Sequence, residues 1–169
     1  MQSRVMLHLR ARLEERQAAV SELRALCHLR GHVGRLCDDL ISAFNEAFNN
    51  VVIHAYRDRL DGTVDVLLLL DEDHAVIELQ DSGRSFDLHA VPPPPAALVL
   101  DPSSSSSNSE GPESGRAPNV EVLAEGGYGV HIIRSLMSEV SYHQEGTRNV
   151  LRMIKNFPHI PGSEERRSP

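Results

Sequence analysis

Two polar residues four positions apart, Glu46 and Asn50, are the first candidates for chemistry in this chain. They lie in a stretch whose apolar residues recur at helical spacing, so both side chains should project from one helix face, roughly 6 Å apart along the axis. A carboxylate beside an amide oxygen can accept a proton or hold a hard cation such as Mg²⁺. Taken alone, the pattern is more often the solvated face of a surface helix.

The segment 81–83, Asp-Ser-Gly, follows a run of strand-like residues and is the second candidate. A buried carboxylate at Asp81 could accept a hydrogen bond from the exocyclic amine of a ligand. Gly83 would let a flat ligand approach the backbone closely. The same three residues also form ordinary turns, and that interpretation stays open at this point.

A glycine-rich turn containing Gly126, Gly127 and Gly129 opens a helix-like run and is the third candidate. Glycines leave backbone N–H groups uncovered, and the N-terminus of a helix attracts phosphate. A single turn of this kind is a weak signal, because many are simple linkers.

The elements that must position these segments are predicted in the order β-α-α-β-β-loop-α-β-β. Strands cluster apart from helices, which predicts an α+β two-layer sandwich with one mostly antiparallel sheet covered by helices on one face. The strands at 64–70 and 75–80 are a predicted hairpin, and the first is apolar on both faces, which predicts a central strand covered on both sides. The other predicted elements are strands at 5–10, 139–143 and 149–154, and helices at 13–29, 35–56 and from 130 onward.

Composition changes sharply between residues 91 and about 122, where prolines and a run of serines predominate. Such a segment cannot bury enough apolar surface to fold alone. A long loop inside a compact domain is usually either a functional lid or a solvent-exposed insertion, and both remain open here. We expect one domain at 1–157, interrupted by this insertion at about 88–124, and a disordered tail at 158–169.

Net charge and cysteine content restrict the class of protein. The formal net charge is −7, which makes a nucleic-acid or membrane-surface partner improbable but leaves room for a basic protein partner. Cys27 and Cys37 match no compact zinc spacing and are expected to be free thiols in a reducing compartment. No apolar run approaches the roughly 18–20 residues that cross a bilayer, and no signal peptide is recognisable. We therefore expect a cytoplasmic protein.

Together, the three candidate segments resemble the ATP-binding domain of the GHKL superfamily, which has the Bergerat-type fold. The order E-x-x-x-N on a helix, D-x-G after a strand, a lid, and G-x-G before a helix is the same. Three segments are more similar still to the anti-sigma factor serine kinases: residues 45–56 (NEAFNNVVIHAY), 126–140 (GGYGVHIIRSLMSEV) and 146–152 (GTRNVLR). The resemblance covers roughly residues 5–155.

The resemblance implies roles for the first two segments. Asn50 would ligate the Mg²⁺ that bridges the ATP phosphates, and Glu46 would be the general base for the attacking hydroxyl. Asp81 would accept a hydrogen bond from the adenine amino group. Gly83 and, through the neighbouring strand, Thr147 would support this contact.

It also implies how the phosphates are held. Gly126, Gly127 and Gly129 would contact phosphate through their backbone. Arg84, one of two Lys or Arg residues between 81 and 126, is a candidate for a further phosphate contact. His54 lies one helical turn beyond the Mg²⁺ ligand, so it either approaches the phosphates or packs in the core.

The partners that the resemblance implies are proteins. In that family a serine on a STAS-domain anti-sigma factor antagonist accepts the phosphate, and the kinase also sequesters a sigma factor and usually forms a homodimer. Two alternatives stay open: a non-catalytic ATP-binding adaptor that sequesters a partner, and a simple ATP hydrolase.

Overall fold

The computed structural model describes residues 2–57, 59, 61–85 and 128–157. Within them, the strands and α-helices follow the order predicted from the sequence, with a short 3-10 turn at Leu13–Glu15. The expected insertion at 88–124 and the expected tail at 158–169 lie outside the described residues. The elements are β1 (Ser3–Arg10), α1 (Arg16–Leu29), α2 (Arg35–Asn50), β2 (Thr63–Leu70), β3 (His74–Asp81), α3 (Tyr128–Leu136), β4 (Glu139–Glu145) and β5 (Arg148–Asn156).

The five strands form one antiparallel sheet in the order β1-β2-β3-β5-β4. The predicted α+β class and the predicted β2–β3 hairpin are both confirmed. The hairpin register places Asp81, the last residue of β3, beside Val64 on one side and Asn149 on the other. Asp81 therefore lies in the middle of the sheet, at the end of a central strand.

Helices cover one face of this sheet. The face of β2 that points to them is fully buried, and so is the apolar stripe of α2, because side chains two apart on a strand and three or four apart on a helix share a face. Each of these residues is 0% exposed: Val64, Val66, Leu68, Leu70, Leu40, Ala43, Phe44, Ala47 and Phe48. None of the helices in the described ranges is long and apolar enough to cross a membrane.

The other face of β2 is less covered than the sequence suggested. Leu67 and Leu69 are only partly buried, and Met6, which pairs with Leu67, is 59% exposed. All three helices of the described residues pack on the opposite side, so within that part of the chain β2 is covered on one face and not on both as predicted. Apolar residues on both faces of a strand do not by themselves require two covering layers.

Side-chain contacts between neighbouring strands stabilise this open face. Glu78 on β3 is 9% exposed and accepts hydrogen bonds from Arg152 on β5 at 3.0 Å and from Gln80 at 2.8 Å. Arg148 in turn donates to Gln80 at 3.0 Å. The carboxylate of Glu78 is thus paired as a buried charge requires.

The second helix ends earlier than its apolar spacing predicts. Regular α-helix stops at Asn50, and a π-helical turn, Val51–Ala55, continues the chain. Tyr56 closes this turn by donating its N–H to the carbonyl of Val51 at 3.2 Å. Such wide turns are rare and are frequently found at functional sites.

Candidate functional site

Glu46 and Asn50 meet the start of α3. A Cβ atom added to Gly129, the second residue of α3, would lie 2.9 Å from Glu46 Oε2 and 3.2 Å from Asn50 Oδ1. A side chain at this position would therefore displace the ends of the Glu46 and Asn50 side chains, whereas glycine leaves them beside the backbone of α3. The structure thereby joins the first and third candidate segments; Gly126 and Gly127 lie outside the described residues.

Both polar side chains are partly buried and have no partner in the described part of the chain, where no hydrogen bond or ion pair involves them. A carboxylate in this condition keeps its lone pairs available for a proton. The amide oxygen of Asn50 suits a hard cation. The described residues contain no group of three or more His, Cys, Asp or Glu side chains that could hold a metal, so a cation at Asn50 needs ligand and water oxygens as well. Mg²⁺ is commonly bound in that way.

Asp81 is the buried carboxylate that the sequence predicted at the end of a strand. It is 6% exposed, and its Oδ1 accepts hydrogen bonds from the backbone N–H of Gly83 at 2.8 Å and from Asn149 Nδ2 at 2.9 Å. Burial raises the pKa of Asp81, and the bonds from Asn149 and Gly83 oppose that rise. Both bonds go to the same oxygen, so the rest of the carboxylate is available to a ligand donor.

Asn149 is the supporting residue that the sequence did not identify. It is 1% exposed, donates also to the carbonyl of Gly83 at 3.1 Å, and accepts from Gln144 Nε2 at 3.1 Å. The sequence did contain a signal for this role, because Asn149 is a polar residue at a position of β5 that faces the core.

Thr147, predicted to support Asp81, makes no contact with it among the described residues. Thr147 is exposed in the two-residue turn between β4 and β5. Strand register places Asn149, not Thr147, opposite Asp81. The side chain that contacts the carboxylate in the described structure is therefore two residues further along the chain.

Gly83 has a packing role beyond the one predicted for it. A Cβ atom at this position would lie 2.6 Å from the carbonyl oxygen of Ala55, at the end of the π-helical turn. The next residue, Arg84, donates its backbone N–H to the same oxygen at 2.9 Å. The turn after β3 is therefore packed directly against the end of the helical segment that begins with α2.

A small cavity, with about 40 Å³ of space for water-sized molecules, lies between α2 and the sheet. Its walls are largely apolar, and Asp81 contributes a carboxylate to them, which suits a flat heterocycle bearing an amino group. The exposed side chains of His54 and Arg84 also line it, so His54 is at the cavity rather than packed in the core. The other lining residues are Ala47, Asn50, Val51, Ala55, Ser85, Tyr142 and Leu151.

One protein-family model matches this chain. It is described as a histidine kinase-like ATPase domain, and the match covers residues 9–155. That range contains all three candidate segments and every described strand and helix except the start of β1 and the last residue of β5.

The curated relatives include several bacterial serine-protein kinases named RsbW. The one from Oceanobacillus iheyensis is 33% identical over 108 residues, which cover 64% of this chain and 58% of the relative. The one from Bacillus pumilus is 36% identical over 112 residues, covering 65% and 59%. The chain thus spans about three fifths of the length of these two. A relative from Listeria monocytogenes serotype 4a is 29% identical over 158 residues, covering 92% and 90%.

Two solved structures share the fold. The RsbU and RsbW domains of a Mycobacterium tuberculosis protein match with a TM-score of 0.56 at 14% identity, covering 92% of this chain and 33% of that one. The SiaB–SiaC complex from Pseudomonas aeruginosa gives a TM-score of 0.54 at 14% identity, covering 90% and 89%. The resemblance to kinases of this kind, predicted from the three segments, is confirmed.

Proposed function

This chain belongs to the histidine kinase-like ATPase domain family, and from that premise we propose that it is an ATP-dependent protein serine kinase. Its substrate would be a STAS-domain anti-sigma factor antagonist, and its second partner a sigma factor that it sequesters. The observation that carries the proposal is the close approach of Gly129 to Glu46 and Asn50, which puts an unpaired carboxylate and an unpaired amide beside a helix start.

We propose that ATP extends from the cavity at Asp81 to the start of α3. In our proposal Asp81 accepts a hydrogen bond from the adenine amino group, while the apolar walls hold the ring. The phosphates would lie at the start of α3, where Gly129 offers a backbone N–H group and the helix dipole favours negative charge. Gly126 and Gly127, which are outside the described residues, remain predicted phosphate contacts. Arg84 and His54 lie near enough to the cavity to serve as further phosphate contacts.

The amide oxygen of Asn50 would hold Mg²⁺, with phosphate and water oxygens completing the coordination. When bound, Mg²⁺ neutralises charge on the phosphates during transfer. The donor set fits the ion, because a neutral amide and a nearby carboxylate provide oxygen and no nitrogen or sulfur ligands.

Glu46 would act on the acceptor hydroxyl. Its carboxylate takes the proton of the serine O–H, while the serine oxygen forms a bond to the γ-phosphorus and the bond to the bridging oxygen breaks. ADP leaves with that electron pair.

The partner assignment is supported by the serine-protein kinases to which the chain is similar. The formal net charge of −7 suits a basic partner surface. We propose in addition that the kinase acts in the cytoplasm as a homodimer. Residues 1–157 would be the kinase domain; its predicted insertion at 88–124 and the predicted tail at 158–169 lie outside the described residues.

The test uses the full chain with radiolabelled ATP, Mg²⁺ and a panel of purified STAS-domain proteins. We expect label on a serine of the STAS protein, and Glu46→Ala should abolish transfer while ATP still raises the melting temperature. Glu139→Ala, which removes an exposed carboxylate at the end of the sheet opposite Asp81, is the matched control.

Three other outcomes have distinct meanings. Transfer that survives Glu46→Ala removes Glu46 from the role of base. ATP binding without transfer to any STAS protein favours an adaptor, and steady phosphate release without a protein acceptor favours an ATP hydrolase.

A further inference from the structure

Tyr56 makes an unusual set of contacts next to the cavity. It is 4% exposed, and its hydroxyl donates to the carbonyl of Thr63 at 2.8 Å and accepts from the backbone N–H of Ser82 at 2.9 Å. Its ring lies against Gly62, where a Cβ atom would come within 2.5 Å. One side chain therefore joins the end of the helical segment, the start of β2 and the turn after β3.

The contact with Ser82 bears on the orientation of Asp81. The N–H of Ser82 belongs to the peptide bond that links it to Asp81, so holding that N–H fixes the peptide plane from which the carboxylate residue projects. The following N–H, that of Gly83, is the one that bonds Asp81 Oδ1. Fixing the first peptide of the turn thus keeps the second N–H aimed at the carboxylate.

We propose that Tyr56 is a positioning residue for base recognition: its hydroxyl holds the turn after β3 so that Asp81 presents its carboxylate to the cavity. The inference rests on the proposed function, in which Asp81 reads the adenine amino group. It goes further because it assigns a role to a side chain that does not line that cavity.

The geometry makes the effect specific to one end of the nucleotide. Glu46 and Asn50 lie before the π-helical turn on α2 and take part in none of the hydrogen bonds made by Tyr56. Removing the hydroxyl should therefore weaken the contact to the base and leave the phosphate end unchanged. A side chain that only stabilised the fold would weaken all nucleotides alike.

Tyr56→Phe is the informative variant, because it keeps the ring and removes only the hydroxyl. The measurement is the dissociation constant for Mg-ATP and for Mg-inosine triphosphate, which carries a carbonyl in place of the amino group. We expect the affinity for ATP to fall about 3- to 10-fold, the effect of one lost hydrogen bond. The affinity for inosine triphosphate should stay within about twofold of wild type, so the preference for ATP shrinks.

Two further variants separate positioning from stability. Leu70→Ala removes a fully buried side chain at the far end of β2 and should lower the melting temperature without changing the preference for ATP. In an Asp81→Asn background, Tyr56→Phe should change the ratio of the two affinities by less than about twofold, because the group that it positions is gone.

An unchanged preference in Tyr56→Phe, with the wild type binding ATP, would overturn the positioning role and leave the proposed function standing. Equal losses for both nucleotides would also overturn it, because they indicate a structural effect alone. A wild-type chain that binds neither nucleotide would overturn the proposed function and this inference together.

Discussion

Replacing Asn149 with leucine tests the hydrogen bonds that hold Asp81 at the end of β3. The amide of Asn149 donates to Asp81 Oδ1 at 2.9 Å and to the carbonyl of Gly83 at 3.1 Å, from a side chain that is 1% exposed. A hydrogen bond to a charged group contributes about 1.5–3 kcal/mol, and a neutral one about 0.5–1.5 kcal/mol. We expect Asn149→Leu to lower the free energy of unfolding by about 2–4 kcal/mol at pH 7, and the melting temperature by roughly 4–16 °C.

The loss should depend on pH, because Asp81 is the charged partner. Burial raises the pKa of Asp81 and the bond from Asn149 opposes that rise, so removing the amide raises this pKa further. A carboxyl group whose pKa is higher in the folded state binds more protons there, and stability falls as pH rises from the unfolded pKa through the folded one. The deficit of the variant is therefore smallest below about pH 4, where Asp81 is protonated in both proteins.

Urea denaturation followed by circular dichroism, at several pH values from acid to neutral, measures this difference. Thr147→Val is the matched control, since Thr147 is exposed in the adjacent turn, and it should behave as wild type. A deficit for Asn149→Leu that is the same at every pH would refute the link to Asp81. A control as unstable as the Asn149 variant would refute the assignment of the supporting residue.

Three other perturbations have definite expected outcomes. Gly129→Ala puts a Cβ atom 2.9 Å from Glu46 Oε2 and should displace that side chain, so nucleotide affinity should fall at least about tenfold. Because alanine favours a helix by about 1 kcal/mol relative to glycine, thermal unfolding should show no comparable loss. Lys155→Met removes an ammonium that bonds Asp39 at 3.3 Å and the carbonyl of the last residue of α3; chemical denaturation should show a loss of about 1–2 kcal/mol. Burial raises the pKa of Cys27 to about 12, so the thiol should resist iodoacetamide in the folded protein and react once urea unfolds it.

The order of elements was predictable because each has a local signature. The apolar stripe of α2 recurs at helical spacing, and the β2–β3 hairpin follows from two apolar runs separated by a short acidic turn. The meeting of Glu46 with Gly129 is a different matter. Residue spacing shows that each segment could bind a ligand, but the resemblance to a family was needed to predict that distant segments share one site.

Features set by pairing between distant segments were not predictable. The support of Asp81 by Asn149 depends on the register of β3 with β5, which a shift of two residues would transfer to Thr147. Whether one face or both faces of β2 are covered depends on where the helices pack. The apolar pattern of β2 is the same in both arrangements, so it could not distinguish them. The end of α2 at Asn50 was missed because apolar spacing continues through the π-helical turn.

Melting of the chain with and without Mg-ATP tests the central claim most directly. A ligand present at 100 times its dissociation constant stabilises the folded state by about 2.7 kcal/mol, which should raise the melting temperature of a chain of this size by roughly 5–11 °C. Asp81→Asn should cancel the rise without unfolding the protein, because burial already disfavours the charged form of Asp81. The matched control, Asp73→Asn in the exposed β2–β3 turn, should keep it. No rise for the wild type at millimolar ATP, or an equal rise for Asp81→Asn, would contradict an ATP site at this cavity.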